Sequence, residues 1–250
     1  MFNLLKPQNI RSPKIRLGPS IDRDYEHGDG GYVTPIVMIE KSVGLFTYGV
    51  NNDYRYEAEY AAKFNKPAYL FDHTVEHPRE PAPGLIFTKE GLGRNIPSCK
   101  DFLEHYKEFN INGDVLLKID VEGCEYDYFE QADIPGMSLC TTGLMLEVHW
   151  LQHEYNQQRF INILNRLREF YVITHIHGNN DVGSFDYTQN VGPVKRITAT
   201  LPLVLELTFT NKRFIDYMVP DDQKYPIKGL DLRNWAVPGS VDCNLDCIND

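Results

Sequence analysis

Apolar residues fall along this chain in two recurring patterns, and their order sets the expected fold. Short runs that are apolar almost throughout read as strands covered on both faces: Gly44 to Val50, Ala68 to Phe71, Leu85 to Lys89, Val115 to Val121, Leu144 to Trp150, Tyr171 to His177 and Leu203 to Thr210. Between them, apolar residues recur at helical spacing. One set is Tyr56, Tyr60, Ala61 and Phe64; a second is Phe102, Leu103, Tyr106 and Phe109 in Ser98 to Phe109, with Ser98 as cap; a third is Phe160, Ile163, Leu164 and Leu167 in Gln157 to Phe170. Another helix is expected from Glu125 to Gln131. Strands alternating with helices predict an α/β, doubly wound sheet. Lys6 to Pro35 lacks sustained periodicity and is expected to be an arm over the domain, with an edge strand from Tyr32 to Ile39 that Pro35 interrupts. The expected organisation is an arm and edge strand over 1–40, an α/β domain over 41–212, and a tail over 213–250 packing on the domain or on the second subunit of a homodimer.

Polar residues change the picture where the strands end, because ligands of open α/β sheets bind outside the carboxyl ends of the strands. In Asp114-Val-Leu-Leu-Lys-Ile-Asp-Val-Glu-Gly-Cys-Glu125, a buried run leads into Asp120 and Glu122, which either work in that crevice or cap the next helix. The first unit runs strand, Gly49, Asn51, helix, strand, Asp72. That is the order of a mononucleotide-binding βαβ unit, in which a glycine admits the ligand and an acid at the second strand tip accepts bonds from ribose hydroxyls. A single glycine stands where a dinucleotide fingerprint wants three, which argues against NAD and for a nucleoside ligand without a diphosphate. Gly49, Asp72 and Asp120 are expected to meet along one rim beside that ligand.

Composition and charge narrow the partners. The chain has 250 residues and a net charge of −10, which argues against broad contact with nucleic acid or an anionic membrane. No run approaches the roughly 20 apolar residues of a membrane span, and the first ten residues lack the core of a secretory signal, so a cytoplasmic protein is expected. Five cysteines suggest no disulfide framework; Cys243 and Cys247 are four apart without a second pair, a weak zinc signal.

Several separated motifs together resemble the FkbM-like methyltransferases: Phe46-Thr-Tyr-Gly-Val-Asn-Asn-Asp53, Tyr69-Leu-Phe-Asp72, Leu117-Lys-Ile-Asp-Val-Glu-Gly-Cys-Glu125, Leu144-Met-Leu-Glu-Val-His149 and Leu205-Glu-Leu-Thr-Phe209. Gly28-Asp-Gly-Gly-Tyr-Val33 is similar to the arm of some relatives. The resemblance implies the Rossmann-like class I methyltransferase fold, a seven-stranded sheet with an antiparallel last strand. It also implies S-adenosylmethionine (SAM) as cofactor and O-methylation of a sugar or nucleotide-linked sugar, as in capsule, polysaccharide or secondary-metabolite synthesis. Carried over by position, Gly49 and Asn51 would line the methionine end of SAM, Asp72 would hold the ribose, and the turn from Glu90 to Gly93 would lie by the adenine. Asn51 replaces the usual second glycine of the first loop. Glu57, on the first helix, would either reach back to the cofactor's charged end or lie on a solvated face.

Methyl transfer to a hydroxyl needs a base, or a metal that lowers the hydroxyl's pKa. Asp120, Glu122, Glu147, His149 and His177 stand at the tips of strands four to six, and the histidines titrate nearest neutrality. His149 or His177 is therefore the candidate base, with Asp120 and Glu122 beside it, and Asp120 also counted as a cofactor ligand. Glu147, Asn179, Asn180 and Tyr32 are candidates for substrate contact. A divalent ion on Asp120, Glu147 and His149 is the metal alternative, ranked behind the metal-free base. The alternative from another class is a catalytically silent nucleotide-binding scaffold.

Overall fold

In the computed structural model, residues 1–19, 28–76, 82–191, 195–235, 241–245 and 248 are described. Seven strands form the central sheet: β1 (Leu45–Tyr48), β2 (Ala68–Phe71), β3 (Leu85–Thr88), β4 (Val115–Ile119), β5 (Thr141–Val148), β6 (Tyr171–Gly178) and β7 (Leu205–Asn211). Their order across the sheet is β3-β2-β1-β4-β5-β7-β6. Strands β3, β2, β1, β4 and β5 run parallel, whereas β7 is antiparallel to both β5 and β6. The doubly wound sheet with an antiparallel last strand is thus what the chain forms. The chain winds outward through β2 and β3, then returns past β1 to begin β4, so a crevice opens where the winding reverses.

The two-residue alternation of a strand sorts the core into two layers. Leu45, Leu116 and Met145 point to one face and pack with Met38, Tyr56 and Tyr60. Their neighbours Phe46, Leu117 and Leu144 point to the other, against Phe102, Phe129 and Phe160. Each such side chain contributes roughly 1.5–3 kcal/mol when fully buried. Helix α1 (Arg55–Phe64) covers the first face, while α2 (Phe102–Glu108), α3 (Glu125–Gln131) and α4 (Glu154–Leu167) belong to the second.

The first face is completed by the N-terminal segment, which is core rather than an overlying arm. Leu17, Tyr32, Met38 and Ile39 are all buried there. The edge strand expected over Tyr32 to Ile39 is a strand only to Pro35, pairing with Lys14–Leu17, and Ile36–Lys41 is helical. Pro35 explains the switch: it lacks an N–H and fixes φ, which suits the start of a helix. Ser98 is not a cap, because its φ of 60° is left-handed and the Cys99–Lys100 that follows it pairs with Gly91–Leu92. Asp101 caps α2 instead, in a reciprocal capping box with Glu104. A hairpin, Ser184–Val191 with Lys195–Pro202, was not expected from the apolar pattern. Among the described residues of the tail, Tyr225, Leu245 and Ile248 are buried in the larger core. No helix among the described residues is long and apolar enough to cross a membrane.

Candidate functional site

A cavity of about 310 Å³ opens at the carboxyl ends of β2, β1 and β4, within the size range of small-molecule sites. Gly49, Asn51, Asp72, Asp120 and Glu122 all line it. The first three come from loops that hold one another. Asn51, in the left-handed region at φ 47°, donates its backbone N–H to Asp72 Oδ2 at 2.7 Å. Asp72 Oδ1 accepts from the backbone and hydroxyl of Thr74 at 2.8 and 2.6 Å. Burial opposes the charge on Asp72, but these hydrogen bonds outweigh it and hold the carboxyl below its usual range. An asparagine serves at position 51 because it tolerates this conformation better than other side chains.

Gly49 is required for a reason beyond ligand approach. Its φ is 80°, and a Cβ there would lie 1.4 Å from the carbonyl oxygen of Asp120. The tips of β1 and β4 therefore touch backbone to backbone.

The cavity has an apolar part and a charged part. Phe71, Gly91, Leu92 and Ile96 line one part, with the turn expected near an adenine, and Asp29, Asp53, Lys118 and Asp120 line another. Glu57 does not line it. It is 0% exposed under Lys118, with its Oε1 3.5 Å from the ammonium nitrogen. Lys118 lies inside the apolar β4 string, and its place opposite Thr47 of β1 and Met145 of β5 follows from strand register.

Strand register also brings Glu147 of β5, Glu206 of β7 and His177 of β6 side by side. His177 is buried with both ring nitrogens paired, Nδ1 to Glu206 at 3.0 Å and Nε2 to Asp242 at 3.1 Å. Burial would lower its pKa, but Glu206 and Asp242 push it well above the ordinary histidine value. Both nitrogens are engaged by acids, so of the two histidines put forward as base, His177 is the one whose ring is already fully paired. Glu206, which the pattern of the strand did not single out, is held below its usual range against burial by His177 and by Asn234. Glu147 goes the other way: burial and the charges of Asp120, Glu206 and Asp29 push its carboxyl well up. It accepts a hydrogen bond from the Tyr32 hydroxyl at 2.7 Å and from Asn179 at 3.4 Å. Asn180 is turned to the tail instead, donating to the carbonyls of Trp235 and Val241.

His149, just past β5, is differently placed. Its Nε2 lies 3.4 Å from Glu122, 3.8 Å from Asp120 and 3.9 Å from Glu147. Behind it, Glu125 Oε1 stands 3.4 Å from Nδ1 and accepts the backbone N–H of His149 at 2.8 Å. Nδ1 is buried without a hydrogen bond. Burial would lower the pKa of this histidine, but Glu125, Asp120 and Glu122 raise it above the ordinary value. Asp120 itself is raised by burial, against the pull of Lys118 and His149. Glu122 and Trp150, on either side of this mouth, both have left-handed φ, 51° and 57°, a conformation costly for side chains of their size.

A cation here would be held by Asp120, Glu122 and His149, whose ligand atoms lie within 4.8 Å of one another. The expected trio had Glu147 in place of Glu122; Glu147 is turned to Tyr32 and Asn179. Cys243 donates to the Asn179 carbonyl at 3.7 Å, and Cys247, its expected companion, lies outside the described residues.

The family model described as the methyltransferase FkbM domain matches residues 25–171, more than half of the chain. Among solved structures, the chain is similar to the precorrin-6Y C5,15-methyltransferase of Geobacter metallireducens GS-15. The identity is 10%, over 70% of this chain and 86% of that one, with a TM-score of 0.33. No curated protein matches.

Proposed function

The chain belongs to the FkbM methyltransferase family, and from that premise we propose that it is a SAM-dependent O-methyltransferase acting on a hydroxyl of a sugar or nucleotide-linked sugar. The observation that carries the reading is the continuity of the cavity at β2, β1 and β4 with the histidine and acids at the tips of β4 and β5: Asp120 and Glu122 line the one and face His149 in the other. Asp72 would take the ribose, the loop of Gly49 and Asn51 the sulfonium side, and the part lined by Phe71 and Leu92 the base.

When bound, SAM supplies an electrophilic methyl group. The protein's part is to align the acceptor oxygen, exclude water and receive a proton. His149 is our candidate for that proton, at Nε2, with Glu125 behind the ring to steady the imidazolium, as a carboxylate commonly steadies a working histidine. Tyr32, Glu147 and Asn179, joined by hydrogen bonds, would contact the acceptor. A second reading is favoured by the grouping of Asp120, Glu122 and His149: a divalent cation there would acidify the acceptor hydroxyl in place of the base.

The test has two stages. Calorimetry with S-adenosylhomocysteine should give saturable binding; its absence would sink the cofactor assignment and favour the scaffold alternative. A panel of nucleotide-activated sugars, assayed for methyl transfer with and without chelator, should then identify the acceptor. Loss of turnover on chelation with recovery on adding magnesium would replace the base by the cation.

A further inference from the structure

One buried pair is unexplained by the fold. Glu57 is 0% exposed and Lys118 3% exposed, and both lie in the interior between α1 and the sheet. Burying two charges is costly unless each is well hydrogen-bonded. Yet neither Oε1 nor Oε2 of Glu57 has a hydrogen-bond partner, and Thr47 Oγ1, on the strand beside Lys118, has none either. The ammonium meets Glu57 at 3.5 Å and the Tyr32 ring at 5.1 Å. Such an arrangement stabilises the fold poorly, so the pair calls for a role in binding.

The cavity supplies one. Lys118 lines it, and among the described lining residues it is the only lysine or arginine, standing among the carboxylates of Asp29, Asp53 and Asp120. An acid-rich lining suits a ligand with positive charge, and one ammonium within it suits a ligand that also carries one carboxylate. The sulfonium and α-ammonium of SAM, with its single α-carboxylate, have that pattern of charge. A neutral nucleoside would leave the lysine unused.

Resting on the cofactor assignment above, we propose that Lys118 binds the carboxylate of the cofactor's amino-acid moiety, and that Glu57 is a positioning residue that holds the ammonium at the cavity wall. Glu57 thus acts on the ligand through Lys118 without touching it. This replaces the direct contact expected of Glu57 and assigns a ligand to the lysine of the β4 string.

The test is calorimetry on the full chain with S-adenosylhomocysteine and its decarboxylated analogue, which keeps the nucleoside, thioether and amine. The wild type should prefer the carboxylate-bearing ligand by about 10- to 100-fold, as expected for a charge-assisted contact. In Lys118→Met that preference should fall close to unity, chiefly through weaker binding of S-adenosylhomocysteine, and Glu57→Gln should give an intermediate preference. A purely structural pair would lower the melting temperature and leave the preference untouched, which would overturn the proposal. Should Lys118→Met fail to fold because Glu57 is left without its counter-charge, the double variant Glu57→Gln, Lys118→Met removes both charges at nearly constant volume and must lose the preference in the same way. A wild type that binds both ligands equally would overturn the lysine assignment alone; one that binds neither would overturn the cofactor reading and this inference with it.

Discussion

His149 and His177 stand at the tips of β5 and β6, and each is buried among acids, yet the two regions differ in what they leave unused. Around His177, Glu206 and Asp242 engage both ring nitrogens, and Asn234 donates to Glu206 at 2.5 Å. Around His149, three acids approach Nε2 at 3.4 to 3.9 Å without a hydrogen bond being closed, and the neighbouring cavity is wide enough for a ligand. The first region spends its polar groups on joining the tail to the sheet. The second leaves the ring nitrogens of His149 without a closed hydrogen bond beside a ligand-sized cavity, and that free capacity supports the choice of His149 as the proposed base.

The sharpest way to break this contrast is to remove each histidine. His149→Ala is expected to lower methyl transfer by about 10²- to 10⁴-fold, the usual worth of a general base, while S-adenosylhomocysteine affinity is retained. Turnover equal to wild type would end the distinction. His177→Ala leaves Glu206 buried without its counter-charge, and a loss of about 3–5 kcal/mol is expected in urea unfolding, with the folded fraction still active. Next in size, Asp72→Ala should weaken S-adenosylhomocysteine by about 10- to 100-fold in calorimetry, since it removes a charged acceptor and unties the Asn51 and Thr74 loops.

Two smaller effects concern pH. A base must be deprotonated to act, and the pKa of His149 is raised, so kcat/KM should climb by about tenfold per pH unit on the acid side and level off above the ordinary histidine value of 6.5. A profile already flat at pH 6 would count against His149. For His177 the linkage is to stability. Its pKa is raised in the folded chain, so its pairing contributes fully below the unfolded value near 6.5 and is lost as pH rises through the folded value. The stability gap between wild type and His177→Gln should therefore narrow in alkaline buffer; a gap independent of pH would show that the ring acts by packing alone.

The sheet was legible because its strands are buried on both faces, which leaves nearly unbroken apolar runs in β4, β5 and β7. The helix at Ile36–Lys41 was not, since Ile36, Val37 and Ile39 favour a strand by propensity, whereas Pro35 starts a helix that buries Met38 and Ile39 against the sheet. Asp101-Phe-Leu-Glu104 carried a readable capping box that the apolar spacing from Ser98 obscured. Within the site, residues next to strand tips were easy to find. Lys118 and Glu206 were hidden by lying inside strands, where their neighbours are set by register between segments remote in sequence. Asp242, in the tail and outside any strand, reaches His177 from 65 positions away, a distance no local pattern spans.

Gly49 gives the crevice an interlock. Because the carbonyl of Asp120 occupies the space a side chain at position 49 would need, the loop proposed to carry the methyl donor and the strand that leads to Asp120 and Glu122 share one backbone joint. A substitution there would pry both apart together. The spacing proposed between methyl donor and base would thereby be built into main chain rather than entrusted to rotamers, and new acceptor specificities would have to arise farther along the mouth, around Trp150 and Asn179.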